Sequence, residues 1–318
     1  MCSTFHKRIR YVTHYANLKT YVQLGLKVTK IHRVLAFRQS LFLKSYVDAV
    51  TLLRTNATNE FDRALFKLMV NAVFGKFIEQ TRDYTTVKFC KKKEACGGLI
   101  ANPRFSGMKI INENLVAIFL RQATIHLNKG YAIGYTILER SKDFMYKSFY
   151  EQIRPRLQHA DVEVIFSDTD SYGLLLTSDA RAPPVDALEQ LSDIFDFSNY
   201  PVSSPRYSDA NASKLGLFKN EVPRGEMVEF VGLRSKTYAF MFKEEGKEAE
   251  LKSKCKGVTR GYRKTLGFDT FKKCVDTFSQ ATVRQYHIRA VNHTVKLIKV
   301  HKNCFSSFDD KRYVILFD

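Results

Sequence analysis

The spacing of hydrophobic and polar positions changes period several times along the chain, and each change predicts an element. From Thr58 to Glu79, "TNEFDRALFKLMVNAVFGKFIE" opens on cap-type residues, places Asp62 in the first turn and repeats apolar residues at helical spacing, which predicts a helix. In "VEVIFSDTDSYGLLLT", residues 162–177, Val162, Val164 and Phe166 alternate with Glu163, Ile165 and Ser167. The DTDS then turns and an apolar run returns, so a β-hairpin is expected with two aspartates at its tip.

"YAIGYTILERSKDFMYKSFYEQI" carries apolar and aromatic residues three and four apart and ends before Pro155, predicting a long helix packed on a sheet. "KVTKIHRVLAF" and "DYTTVKFC" read as strands, and a hairpin or small insertion is expected around residues 83–112. "EMVEFVGLRSKTYAFMFK", the turn "EEGKEAE" and "LKSKCKG" predict a further β-hairpin, while residues 266–300 read as largely helical and basic. "RAPPVD" and "SNYPVSSPRYSDANAS" are the loop-like stretches, separated by the short amphipathic run "ALEQLSDIFDF".

A chain of 318 residues can bury a sizeable core as one large domain or two smaller ones. No apolar run approaches the roughly 18 to 20 residues that span a bilayer, and "MCSTFHKRIRYVTHYANL" lacks a signal peptide's apolar stretch, so an intracellular protein without a membrane partner is expected. The six cysteines, Cys2, Cys90, Cys96, Cys255, Cys274 and Cys304, form no CxxC pair and no zinc-ligand cluster, which predicts reduced and mostly buried thiols.

The net charge of +19 sits at the two ends of the chain. Residues 1–47 hold nine Lys or Arg and no acid, residues 252–318 hold fifteen against five, and the middle balances at twenty-seven each. Such segregation suits a polyanion gripped by the terminal parts, with a neutral middle free to hold carboxylates. Charge alone fits nucleic acid or anionic lipid, and the contents of the middle favour nucleic acid.

Three constellations carry chemistry. Asp168 and Asp170 on a tight turn aim oxygen ligands at one spot and repel unless a cation lies between them, a need that Mg²⁺ meets. On the helix from residue 60, Arg63, Lys67, Asn71 and Phe74 follow at spacings of four, four and three, along one face that ends at Gly75. Arg63 and Lys67 are like charges one turn apart, mildly unfavourable unless an anion such as a triphosphate lies across them. Third, "LRSKTY" places Lys236 and Tyr238 on one strand face, and Lys252, Lys254 and Lys256 share a face of the next strand, which suits contact with a nucleic-acid backbone.

Together and in this order, the motifs resemble the polymerase region of family B DNA polymerases. "KLMVNAVFG" (Lys67–Gly75) is similar to the family's motif B, Kx3NSxYG; "SDTDS" (Ser167–Ser171) is similar to motif C; "LRSKTY" (Leu233–Tyr238) matches the KxY element. "KLG" at Lys214–Gly216 and "KCKGVT" at Lys254–Thr259 sharpen the likeness to the protein-primed branch of phages, adenoviruses and Polinton/Maverick-type transposons.

The resemblance implies an α+β fold: a palm of mixed or antiparallel sheet backed by helices, partial helical fingers and a small β-hairpin or helical thumb. It implies fingers over 1–82, an insertion over 83–112, the palm over 113–243 and the thumb over 244–318. Asp168 and Asp170 would be catalytic and hold two Mg²⁺ ions, with Mn²⁺ as a substitute. Lys67, Asn71, Phe74, Gly75, Arg63 and Arg54 would bind the incoming deoxynucleoside triphosphate. Lys236, Tyr238, Lys254, Lys256 and Arg234 would bind primer-template DNA, and a terminal protein could serve as primer. A nucleus or a viral replication site suits such a protein.

Two departures are mild: Ala72 stands for the usual Ser of motif B and Phe74 for Tyr, and each loses a hydroxyl. A larger one is motif A, DxxSLYP, which the family carries upstream of motif B and which nothing before Lys67 resembles; the exonuclease region is missing too. "DFSNYP" at Asp196–Pro201 looks like motif A but follows motif C, and is rejected. The expectation is therefore a DNA-directed DNA polymerase lacking motif A. Two other readings stay open: a catalytically inactive, transposon- or virus-derived DNA-binding remnant, and a basic structural or partner-binding protein.

Overall fold

A computed structural model describes residues 7–157, 161–177, 190–212, 214–234, 236–244, 246–291 and 294–306. The chain divides into two units, Met1–Ser148 and Phe149–Asp318. Both mix helices with antiparallel sheets, so the expected α+β class holds.

The first unit opens with α1 (Tyr15–Gln23), α2 (Lys44–Asn56) and α3 (Glu60–Phe77). α3 begins where the sequence predicts. The Asn59 side chain accepts the Asp62 N–H at 2.8 Å, and Glu60 and Asp62 set negative charge at the positive end of the helix dipole. A three-stranded sheet follows, built from β1 (Thr85–Cys90), β2 (Phe105–Asn112) and β3 (Leu115–Arg121) in the order β1-β3-β2, with α4 (Lys93–Ile100) against it. Cys90, Ile118 and Leu120 form the buried core under α4. The sheet runs past residue 112, because the apolar run "LVAIFLR" supplies its central strand.

α5 (Tyr131–Lys147) closes the unit, and it packs on α1 and α3 where a sheet was expected. Gly134 explains the contact with α3. A Cβ there would lie 2.5 Å from Ile78 Cγ2 and 2.9 Å from the Phe74 carbonyl oxygen. A glycine inside a helix costs about 1 kcal/mol of propensity, and here it lets the two backbones meet. α1 is fastened differently: Asn17 Nδ2 donates to Glu139 Oε2 at 2.7 Å and Thr20 Oγ1 donates to Asp143 Oδ1 at 2.5 Å, with all four residues buried.

The strand expected at "KVTKIHRVLAF" is not present: residues 27–37 pair with nothing among the described residues, and Val28, Ile31, Val34 and Leu35 stay exposed. Alternating apolar residues favour a strand only where a neighbouring backbone completes the ladder.

A π-helical turn, Ser148–Ile153, carries the chain from the first unit into the second, where α6 (Arg154–Arg156) precedes the hairpin of β4 (Asp161–Ser167) and β5 (Tyr172–Thr177). Phe149, Ile153 and Leu157 pack with Val162, Leu191 and Phe195 in one core, onto which Leu174 and Leu176 of β5 fold. The second core lies under an antiparallel meander of β6 (Gly225–Arg234), β7 (Thr237–Glu244) and β8 (Glu250–Cys255), then α7 (Arg260–Arg263), α8 (Phe268–Asp276) and a long hairpin of β9 (Gln280–Val291) and β10 (Thr294–Ser306).

Two expectations fail in this stretch. Within "LRSKTY" β6 ends at Arg234 and β7 begins at Thr237, with Lys236 in the turn before it, so the single hairpin becomes three strands. Residues 266–300 are helical only over α8. From Gln280 the burial period is two: Ala281, Val283 and Gln285 face inward while Thr282, Arg284 and Tyr286 face solvent. Strong charge along that stretch imitates a solvated helix face, and the β-branched alternation decides the outcome. "RAPPVD" lies outside the described residues.

Candidate functional site

The tip of the β4–β5 hairpin is built by a short cycle of hydrogen bonds. The strands pair from Asp161 with Thr177 to Ser167 with Tyr172. Beyond them, Asp168 N–H donates to the Ser171 carbonyl at 3.1 Å and Asp170 N–H to the Asp168 carbonyl at 2.7 Å. That second bond spans two residues and forces Thr169 to φ +63°. A β-branched residue there stores roughly 1–3 kcal/mol of strain. The turn holds it with two hydroxyl bonds, Ser171 Oγ to the Asp168 carbonyl at 3.2 Å and Thr169 Oγ1 to Asp168 Oδ1 at 3.3 Å. Both carboxylates end up on one open cleft of about 340 Å³, shared with Thr169, Ser171, Glu221, Lys236 and Lys254.

An aromatic stack sets where this tip sits. Phe166 of β4 lies parallel to Phe230 of β6, with centroids 5.2 Å apart, and to Tyr238 of β7 at 4.8 Å. The opposite position on β5 has to be glycine, since a Cβ on Gly173 would come within 2.1 Å of the Phe166 ring. Hairpin and meander are thereby locked together, and the β6–β7 turn comes to the aspartates.

Lys236 occupies that turn at φ +59°, its carbonyl accepts the Lys256 N–H at 3.0 Å, and its ammonium stands 3.4 Å from Asp168 Oδ1. Lys254, paired with Tyr238 across the strands, carries its ammonium 5.9 Å from the Tyr238 ring centroid. Lys236 and Tyr238 therefore do not share a strand face as expected. Lys236 is in the turn, exposed, and Tyr238 is buried, 7 % exposed, beneath it. Lys252 and Lys254 do share a face of β8, whereas Lys256 follows the strand and Arg234 ends β6.

The stripe on α3 belongs to the first unit. Arg63, Lys67 and Asn71 are exposed, and Phe74 and Gly75 are half-buried. Arg63 is partly committed, because its Nε donates to the Ala57 carbonyl at 3.0 Å and ties down the α2–α3 connection. Arg54 lies exposed in the last turn of α2.

The cleft suits a hard cation. Its donors are carboxylate and hydroxyl oxygens, and the Lys236 ammonium beside Asp168 shows that positive charge is already favoured there. Among the described residues no three His, Cys, Asp or Glu side chains gather closely enough to form a metal cluster by themselves. Asp196, the aspartate of "DFSNYP", is buried and engaged elsewhere: Oδ1 accepts the Ser198 N–H at 2.9 Å and Oδ2 pairs with Lys219 at 2.9 Å.

Sequence reasoning missed Glu221, Phe166 and Gly173. Glu221 is a lone acid in a loop and gave no signal. Gly173 did give one, since a glycine inside an apolar strand marks a close approach.

A carboxylate-tipped turn flanked by lysines is the kind of site that handles phosphates with a divalent ion. Residues 1–120, which include α3 and "KLMVNAVFG", are similar to the family model of DNA polymerase type B, organellar and viral. The resemblance to family B polymerases holds over that N-terminal region. No curated protein and no solved structure matches the chain. Among the described residues no helix is long and apolar enough to cross a membrane.

Proposed function

We propose that the chain is a fingers, palm and thumb part of a protein-primed-type family B DNA polymerase, with its cleft at Asp168 and Asp170 serving nucleotidyl transfer. The observation that carries this reading is the convergence of Asp168, Asp170, Lys236 and Lys254 on one cleft, in a chain whose α3 segment matches the type B polymerase model.

Asp168 and Asp170 would hold Mg²⁺ or Mn²⁺, with Glu221 elsewhere on the wall of the same cleft. Such an ion, when bound, lowers the pKa of a primer 3′-hydroxyl and offsets charge on the phosphates. The protein's own part is positioning and neutralisation. Lys236 stands beside the Asp168 carboxylate and would also reach a backbone phosphate of the DNA. Lys254, Lys256 and Arg234 add positive charge along the same edge. Tyr238 acts by packing under the turn: stacked on Phe166, it fixes the height of Lys236 above the aspartates. On α3, Lys67, Arg63 and Asn71, with Arg54, would grip the triphosphate, and Phe74 and Gly75 would pack beside its base. The substrates in this reading are primer-template DNA and deoxynucleoside triphosphates, with a terminal protein as one form of primer.

The test is equilibrium binding of fluorescent primer-template DNA to the whole chain at several salt concentrations. Affinity is expected to fall steeply between about 50 and 200 mM salt, and the slope of log K against log salt to shrink by roughly one unit for each phosphate-contacting lysine replaced, Lys254→Ala being the first. Any primer extension is expected to vanish in Asp170→Asn. DNA binding with no extension under any metal supports the DNA-binding remnant, and salt-independent or absent binding removes both nucleic-acid readings.

A further inference from the structure

Two cysteines of the first unit meet outside the cleft. Cys90 ends β1 and is buried; Cys96 lies half-buried in α4, packed against the same core of Ile118 and Leu120. Cys96 packs against the cluster that contains Cys90, and α4 contacts β1, which brings the two thiols to one side of the sheet. The five residues between them, Lys91 to Ala95, include three consecutive lysines, Lys91, Lys92 and Lys93, all exposed. The other described cysteines, Cys255, Cys274 and Cys304, lie in the core of the second unit.

We propose that Cys90 and Cys96 form a redox-responsive dithiol that closes to a disulfide in exchange with a small anionic disulfide such as oxidised glutathione, stapling α4 to the end of β1. Cys96 is the more accessible sulfur and attacks first. Its thiolate, having lost a proton, displaces one glutathione thiolate and forms a mixed disulfide. The Cys90 thiolate then attacks Cys96 Sγ, the mixed disulfide breaks, and the second glutathione leaves as thiolate. Two S–H bonds on the protein are lost, one S–S bond forms, and the two electrons reside on two reduced glutathiones that take up the two protons.

The three exposed lysines attract the anionic oxidant. Burial, followed by the interaction with Cys90, holds the Cys96 thiol above its ordinary value of 9.0, so the closing rate rises with pH through the alkaline range. The constrained segment carries the lysines, so oxidation fixes the geometry of a basic loop.

The whole chain is incubated with oxidised glutathione, trapped by alkylation and mapped by peptide mass, alongside Cys96→Ser. The expected result is a chain lighter by two hydrogens, with Cys90 and Cys96 joined and both protected from alkylation until reduced. Amide exchange across α4 slows in that form. In Cys96→Ser, whose fold is checked by circular dichroism, no disulfide at Cys90 forms. Glutathione that stays attached to Cys96, Cys90 and Cys96 that both remain alkylatable, or a Cys90 disulfide in Cys96→Ser overturns the proposal.

Discussion

Gly173→Ala is the sharpest perturbation of the frame that holds the aspartates. The new Cβ would stand 2.1, 2.3 and 3.0 Å from Cε1, Cδ1 and Cζ of Phe166, and the ring has little room to yield because Phe230 and Tyr238 stack on it at 5.2 and 4.8 Å. Either the ring leaves the stack, forfeiting roughly 0.5–1.5 kcal/mol for each of two aromatic contacts, or the strands part, at the roughly 1–3 kcal/mol typical of an overpacked core. The expected destabilisation is about 2–4 kcal/mol. It is read by urea unfolding of the whole chain, following a transition that belongs to the second unit.

The mechanism names its own rescue. Phe166→Val removes the atoms in conflict, so Gly173→Ala is expected to cost far less in that background, with a coupling energy of about 1–3 kcal/mol. Salt-sensitive DNA affinity should fall in Gly173→Ala as well, because the hairpin tip moves away from Lys236. Equal cost of Gly173→Ala with and without the Phe166 ring refutes the reasoning.

Two further outcomes concern the buried clamp between α1 and α5. Asp143→Ala takes away the close acceptor of the buried Thr20 hydroxyl, leaving it only the longer bond to the Ala16 carbonyl at 3.3 Å, and removes the partner of Arg140 and Lys147, whose side chains are half-exposed; a loss of about 1–2 kcal/mol is expected in thermal or urea unfolding, and Thr20→Val should be nearly silent in that background. Burial pushes the Glu139 carboxyl up, but hydrogen bonds from Lys142 and Asn17 outweigh it and hold it below its ordinary 4.5. Asp143 behaves alike, held below 3.8 against burial by Thr20 and Lys147. Depressed carboxylates stabilise above their ordinary values and lose that contribution as pH falls through the folded ones, so protection of α1 amides is expected to drop below about pH 4 and to be flat there in Glu139→Gln/Asp143→Asn.

The motifs were legible in the sequence because they are local. A cap, a first-turn acid and a 3.6 period give α3, and alternation around DTDS gives the hairpin and its tip. What the residues could not reveal is long-range. Tyr238 reads as a DNA contact in "LRSKTY", yet in three dimensions it is a packing surface for Phe166, seventy-two positions earlier in the chain. Lys236 reads as a strand residue, but the turn that carries it shows itself only through a positive φ. Residues 27–37 have a strand's composition and no ladder among the described residues, and β9–β10 have a basic helix's charge and a sheet's period. Glu221 reaches the cleft from a loop whose path no local pattern encodes.

The central claim is that Asp168 and Asp170 make one cation-binding cleft that serves DNA. Electron paramagnetic resonance titration of Mn²⁺ into the whole chain with primer-template DNA present tests it most directly, comparing the native chain with Asp168→Asn and Asp170→Asn. The account predicts a bound Mn²⁺ whose affinity falls by more than about tenfold, some 1.4 kcal/mol, in either variant while the fold persists. Mn²⁺ bound equally well by all three chains would contradict it.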